Sequence, residues 1–324
     1  MQYALQLTHP GPEGRLQRID WPPRDPPKGE LRIRHDYIGV NFIDSYYRTG
    51  LYPLEAPAIP GVEGGGTIES IGAGVSGFQL GQKIAYGAAP GAFATTRLLP
   101  AWRALPLPEG INADIAAASI LRGMTAHMLL SQRYPVGKGT RVLIHAAAGG
   151  LGGVLTQWAK ALGAVVIGTV GSEEKVAIAR RLGADAVIVG RDADLVAEVD
   201  ALTAGQGVDL AIDGIGGDRL RQTIECVRSD GTVASIGQAA GPIPEMSLVA
   251  LAARRAIRLL RPSIMAFAAD PTAYRDAGEA VFGMLKRGIA VQPDKTYPLI
   301  EAAAAISDLE AGAGTGAKLL TIAE

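Results

Sequence analysis

Cysteine is almost missing from this chain: Cys226 is the only one in 324 residues. An intramolecular disulfide is therefore impossible, and a four-cysteine structural zinc site is excluded. The thiol lies in Thr223-Ile224-Glu225-Cys226-Val227, an amphipathic helical pattern, and reads as a small buried hydrophobe. Such cysteine usage fits a reducing, cytoplasmic setting. An excess of charge of one sign is missing as well. The 31 basic and 32 acidic residues leave a net charge of -1, which is no footprint for nucleic acid or another polyanion. No uncharged apolar run reaches the length of a membrane span, since Arg254 and Arg255 interrupt the stretch around residues 248 to 260. Met1-Gln2-Tyr3-Ala4 opens no basic region followed by an apolar core, so no secretory signal is expected. Internal repeats and low-complexity linkers are lacking too.

What is present is the composition of an ordinary globular protein, 48% hydrophobic and 19% charged, in a chain long enough for two domains. The text changes character twice. The first zone is rich in glycine and proline and carries short segments such as Glu30-Leu31-Arg32-Ile33-Arg34, Gly66-Thr67-Ile68-Glu69-Ser70-Ile71 and Gln82-Lys83-Ile84-Ala85-Tyr86. Short strands punctuated by turns predict a β-rich, partly closed barrel. The middle zone alternates apolar strands (141–146, 164–169, 185–189, 208–213, 231–236, 256–260) with helical patterns, which predicts an α/β, doubly wound parallel sheet covered on both faces. After about residue 265 come a helix over Tyr274–Arg287, a helix over Glu301–Glu310 and a closing strand over Ala317–Ile322. This tail is too small for its own core and is expected to rejoin the first domain. The expected organisation is one domain from 1–119 with 265–324, and an inserted domain from 120–264.

The strongest motif is Val142-Leu143-Ile144-His145-Ala146-Ala147-Ala148-Gly149-Gly150-Leu151-Gly152. A buried strand turns through small residues into the helical stretch from Val154 to Leu162, aiming free N–H groups and a positive helix terminus at an anion. Glycines there let a pyrophosphate approach the backbone, so a dinucleotide site is expected at Ala148, Gly149, Gly150, Leu151 and Gly152. The glycine pattern is irregular, with Leu155 where a third glycine usually stands. At the next strand tip, Gly168-Thr169-Val170-Gly171-Ser172-Glu173-Glu174-Lys175 has no carboxylate placed to grip ribose hydroxyls. A hydroxyl (Ser172) and a cation (Lys175), with Arg191 past the third strand, suit a 2′-phosphate, so NADP is favoured over NAD.

These segments together resemble, over the whole length, the zinc-free quinone oxidoreductases of the medium-chain dehydrogenase/reductase superfamily, the zeta-crystallin-like group. The resemblance is carried by Gly39-Val40-Asn41-Phe42-Ile43-Asp44-Ser45-Tyr46-Tyr47-Arg48-Thr49-Gly50-Leu51-Tyr52-Pro53, by Pro60-Gly61-Val62-Glu63-Gly64 with Gly66, and by Arg122-Gly123-Met124-Thr125-Ala126. His145–Gly152 and Gly168–Lys175 resemble the family's nucleotide loops. The resemblance implies a GroES-like first domain, a Rossmann second domain, NADPH as cofactor and a homodimer. It also implies that Asn41, Tyr46 and Tyr52 face the nicotinamide end of an interdomain cleft. Thr125 would meet the carboxamide, and Asn41 would bond the carboxamide, the ribose or the acceptor oxygen. The cofactor-binding set is completed by Gly171 and Gly237.

Zinc-dependent relatives in the superfamily carry Gly-His-Glu where this chain has Gly61-Val62-Glu63, and they use an early cysteine that is absent here. His9, His35, His127 and His145 do not fall at metal-ligand spacing, and His127 and His145 read as structural. Without a metal, the expected acceptor is an electron-poor quinone, its oxyanion met by hydrogen-bond donors. A C=C reductase acting on 2-alkenals or enones is the alternative enzyme. A low-turnover NADPH-binding protein (a sensor, a structural protein or an RNA binder) is the alternative outside catalysis. The chain also departs from its relatives: Val189-Gly190 stands where many have Asn-Tyr, and Gly312–Gly316 lacks an arginine that some carry.

Overall fold

The computed structural model describes residues 2–247, 256–312 and 314–322. Ala313, Arg254 and Arg255 lie outside them. The chain divides into two compact units, Met1–Met124 with Ala268–Glu324, and Thr125–Phe267.

The first unit is built on a long strand, β3 (Glu30–Val40), which follows the hairpin β1 (Tyr3–Leu7) and β2 (Leu16–Asp20). Its remaining strands are β4 (Glu63–Ile71), β5 (Lys83–Tyr86), β6 (Thr96–Pro100), β7 (Leu105–Pro106), β14 (Pro293–Pro298) and β15 (Ala317–Thr321). One edge of β3 pairs antiparallel with β4, while its first half pairs with β6 and its last residues, Tyr37–Val40, with β15. The C-terminal strand therefore returns to the first unit's sheet. Register shifts between Arg32 and Ile33 and between His35 and Tyr37 let one strand serve partners along both halves. Leu31, Ile33, Ile38, Ile68, Ile84 and Phe93 fill the core behind this sheet. Helix α1 (Phe42–Thr49) leaves directly from the end of β3, so the sheet fixes where it starts.

The second unit holds six parallel strands: β8 (Arg141–Ile144), β9 (Val165–Val170), β10 (Ala186–Val189), β11 (Val208–Asp213), β12 (Val227–Ser235) and β13 (Arg258–Leu260). Their spatial order, β10-β9-β8-β11-β12-β13, reverses direction beside β8, which is the doubly wound arrangement expected from the alternating pattern. Helices α3 (Gly150–Ala161), α4 (Val176–Arg181), α5 (Leu195–Thr203) and α6 (Arg219–Glu225) connect the strands. Helix α2 (Ala113–His127) ends with this unit's first residues, Thr125–His127. The fifth strand begins earlier than its apolar run suggests. It pairs Val208 with Val227 and then slips to Leu210 with Thr232, bulging through Asp230 at φ 61°. A polar bulge inside a strand conceals that strand's beginning from hydrophobic patterning. Cys226, just past α6, is fully buried, with Sγ 3.2 Å from the Gln222 carbonyl oxygen. Helices α7 (Ile264–Phe267), α8 (Pro271–Lys286) and α9 (Ala302–Glu310) complete the chain. Among the described residues no helix is long and apolar enough to cross a membrane.

Candidate active site

In the first unit the candidate residues gather on α1. Asn41 is its N-cap, with extended φ and ψ of -131° and 159°, and forms a capping box with Asp44. The Asp44 carboxyl accepts the Asn41 backbone N–H at 2.8 Å, while the Asn41 side chain faces the N–H of Asp44. Gly50 ends the helix at φ 75°, a left-handed turn that a side chain would resist. The chain then doubles back, and Tyr52 donates its backbone N–H to the Tyr46 carbonyl at 3.1 Å. That turn brings the rings of Tyr46 and Tyr52 to 4.9 Å between centroids, tilted by 55°, with Phe42 a further 6.2 Å from Tyr46. Tilted aromatic contact of this kind makes an apolar wall suited to a flat ligand. Glu310 on α9 braces α1 from behind, accepting hydrogen bonds from the Ser45 hydroxyl and from Arg48 Nη2.

Beneath Asn41 lies a buried charge cluster. Glu63, with no exposed surface, accepts from Asn41 Nδ2 (2.7 Å) and Arg122 Nη1 (2.9 Å) on Oε1, and from the Leu121 N–H (2.8 Å) on Oε2. Arg122 also donates to the Ala118 and Val40 carbonyls, each at 2.7 Å. Burial pushes the Glu63 carboxyl up, opposed by Arg122, the Asn41 amide and the Leu121 N–H. Each of those three neighbours is a donor, the environment of a carboxylate. Asp44 differs. Burial lifts it to about 8, the Asn41 N–H opposing and the Glu63 charge adding to the rise. Its Oδ1 has no hydrogen-bond partner among the described residues. Burial therefore favours the neutral acid form of Asp44.

In the second unit the nucleotide-loop residues sit at the carboxyl ends of β8, β9 and β10. After β8, Ala146 takes φ 51° and Gly149 caps α3 with φ -88° and ψ 179°. Ala148 is buried, Gly149, Gly150 and Leu151 are partly exposed, and Gly152 is buried. A Cβ on Gly152 would lie 2.1 Å from the Ala146 carbonyl oxygen, so this glycine lets α3 abut the strand end. Leu155 is buried and carries the apolar side of the same helix. At the next strand tip, Gly171 would place a Cβ 3.8 Å from Arg191 Nε, which puts that guanidinium beside the Gly171-Ser172 turn. Ser172 precedes a short turn, Glu173–Lys175, in which both glutamates are exposed and Lys175 is half-buried. Gly237 would place a Cβ 2.7 Å from the Gly214 carbonyl oxygen, so its lack of a side chain serves the close approach of the loops after β11 and β12. Thr125 is buried on α2, 8% exposed.

Sequence reasoning passed over the network that ties these strand tips. His145 lies between Thr169 (Nδ1, 3.0 Å) and Thr223 (Nε2, 2.8 Å), and the Thr223 hydroxyl donates to Asp213 at 2.7 Å. A hydroxyl that donates to Asp213 must accept from Nε2–H, which fixes the neutral tautomer. Burial lowers His145 to about 4 despite the nearby Asp213. Asp213 Oδ1 in turn accepts the N–H groups of Ile215 and Gly216. His145 is thus a structural link between β8, β9, β11 and α6. His127 packs against Trp158, the ring centroids 6.1 Å apart and the planes tilted by 46°. Asp44, Glu63 and Arg122 stand inside the motifs that carry the family resemblance but are given no role there, and Asp213 is not singled out.

Two family models match the chain, an alcohol dehydrogenase GroES-like domain over residues 27–109 and a zinc-binding dehydrogenase domain over residues 150–276. A quinone oxidoreductase of Pseudomonas aeruginosa is 38% identical over 315 residues, covering 96% of each chain. The crystal structure of Escherichia coli quinone oxidoreductase complexed with NADPH superposes with a TM-score of 0.93 at 34% identity, over 98% of this chain and 99% of that one. The chain belongs to the quinone oxidoreductase family. The same family likeness extends to a 2-haloacrylate reductase of a Burkholderia species, 38% identical over 289 residues, 86% of this chain and 87% of that protein. The two matched domains give the fold its description, a GroES-like unit and a Rossmann-like unit. The second model's description mentions zinc, which the residues here do not fit. Val62 offers no ligand atom, and no group of three or more His, Cys, Asp or Glu side chains among the described residues could share a metal ion.

Proposed function

We propose that the protein catalyses NADPH-dependent reduction of quinones. The observation that carries this reading is the convergence, at the tips of the parallel strands, of the α3 N-terminus with the turn that holds Gly171, Ser172, Lys175 and the adjacent Arg191. A pyrophosphate suits the helix terminus, and a 2′-phosphate suits a hydroxyl with two cations. Membership of the quinone oxidoreductase family and the NADPH complex of a relative support the same assignment.

In this reading Ala148, Gly149, Gly150, Leu151 and Gly152 hold the pyrophosphate, and Thr125 and Asn41 hold the nicotinamide end. Bound NADPH supplies a hydride. Tyr46 and Tyr52 stack on the flat acceptor and donate hydroxyl hydrogen bonds to the oxygen on which negative charge grows. The rate enhancement then comes from orientation and from those donors. A second reading, reduction of a conjugated C=C bond, is supported by the 2-haloacrylate reductase relative. Product analysis with an enone separates the two, because C=C reduction leaves a saturated carbonyl. The lone buried cysteine fits a cytoplasmic protein, and the family resemblance supports a homodimer, which sedimentation of the full chain will test.

The test is oxidation of NADPH with a panel of ortho- and para-quinones, together with titration of NADPH and NADH. Turnover with at least one quinone is expected, and none at all overturns the proposal. Replacing Lys175 with alanine removes one cation from the phosphate site and is expected to weaken NADPH by about 10- to 100-fold while leaving NADH unchanged. An unchanged NADPH affinity would place the 2′-phosphate elsewhere.

A further inference from the structure

We infer that Glu63 is a positioning residue that sets the polarity of Asn41, turning its amide nitrogen inward and leaving only its carbonyl oxygen for a ligand. The inference rests on the functional reading above and narrows the partner that Asn41 can take. Both N–H groups of the Asn41 amide point at acceptors, Glu63 Oε1 at 2.7 Å and, more weakly, the Gly39 carbonyl at 3.5 Å. A carboxylate that also accepts from Arg122 and Leu121 cannot tolerate the amide the other way round, with oxygen facing oxygen. The carbonyl oxygen lies over the start of α1, beside the N–H of Asp44, which itself donates to the Asn41 backbone carbonyl at 3.0 Å, so the side-chain oxygen keeps lone pairs for a ligand. A group meeting that oxygen must be a donor: a ribose hydroxyl or the carboxamide NH2 of the dinucleotide. A quinone carbonyl, or the oxyanion it becomes, is an acceptor and is excluded. Stabilising the oxyanion then falls to the tyrosine hydroxyls.

The surrounding chain is shaped around this carboxylate. A Cβ on Gly39 would stand 2.1 Å from Glu63 Oε1, so the strand beneath Asn41 is bare where the carboxylate approaches. Arg122 spends its guanidinium on Glu63 and on the Val40 carbonyl, immediately before Asn41. Three elements (the end of β3, the start of β4 and α2) thus meet through one carboxylate at the residue that caps α1.

A reversed pair tests the idea. Asn41→Asp sets two carboxylates against each other and is expected to weaken NADPH by at least about tenfold and to raise the KM for NADPH more than it lowers kcat. Adding Glu63→Gln removes the facing carboxylate and lets the new amide donate to the carboxylate at position 41. That carboxylate takes over the Arg122 Nη1 that Oε1 held and still presents an oxygen to a ligand. The double variant is expected to recover NADPH affinity to within about threefold of the wild type. Asn41→Ala with Glu63→Gln has no oxygen to present and is expected to show no recovery. Affinity is read by titration calorimetry, turnover with 1,4-benzoquinone, and folding by thermal melts. A folded double variant that binds no better than Asn41→Asp, or an Asn41→Asp protein that binds like the wild type, overturns the inference. A wild-type protein that neither binds nor oxidises NADPH overturns the functional reading itself, and the inference with it.

Discussion

Gly152→Ala is expected to cost about 2–4 kcal/mol of stability and at least about 100-fold in NADPH affinity. The added Cβ would sit 2.1 Å from the Ala146 carbonyl oxygen, 2.6 Å from its carbon and 2.8 Å from the His145 carbonyl oxygen. All three are backbone atoms at the end of β8 and cannot swing aside as a side chain would. Relief requires α3 to move off the strand, and its N-terminal N–H groups move with it. The helix terminus is what the proposed pyrophosphate would meet, so packing and binding fail together. Gly171→Ala makes the comparison sharp. Its Cβ would meet nothing closer than Arg191 Nε at 3.8 Å, and a stability within about 0.5 kcal/mol of the wild type is expected. Thermal melts and NADPH titration of both variants check this. A tolerated alanine at Gly152 would mean that α3 does not need to abut β8.

The same glycine shows how much could be read in advance. Strand, small-residue turn and helix were legible because the hydrophobic period changes from a continuous run to a helical one at that point. The six parallel strands followed from the same alternation, and Leu155 at the irregular position is explained by the buried side of α3. Which glycine serves packing and which serves ligand approach was not legible, since that depends on the distance between a helix and a strand end. Gly237, read as a cofactor residue, also stands where two loops nearly touch, a packing demand that its sequence context does not show. Local chemistry carried the Tyr46 and Tyr52 pair only as far as residue type. Their meeting depends on the left-handed turn at Gly50. The polarity of Asn41 could not be read at all, because it is imposed by Glu63, 22 positions away on another strand.

Asp44→Asn is expected to make the protein more stable than the wild type at pH 8 by about 2–5 kcal/mol, and to leave it nearly matched at pH 4. The folded chain holds this carboxyl at about 8 against an ordinary 3.8, chiefly because it is buried. Between those values the native state binds a proton that the unfolded chain releases. Stability therefore falls as pH rises through the window, with a slope approaching about 1.4 kcal/mol per pH unit. Asparagine copies the neutral acid, still offers an oxygen to the Asn41 N–H, and carries no proton to lose. Glu63 is also raised by burial and adds its own slope to both proteins, so the difference between them isolates Asp44. Denaturant melts at pH 4, 6 and 8 provide the measurement. A difference that does not change with pH would mean that Asp44 is already ionised in the native state. The consequence reaches the site: above pH 8 a second negative charge forms beside Glu63 at the cap of α1, offset by the Asn41 N–H, Arg122 and the Gly61 N–H. NADPH affinity is then expected to fall with rising pH in the wild type and to hold steady in Asp44→Asn, because the repulsion acts on the helix that carries Tyr46.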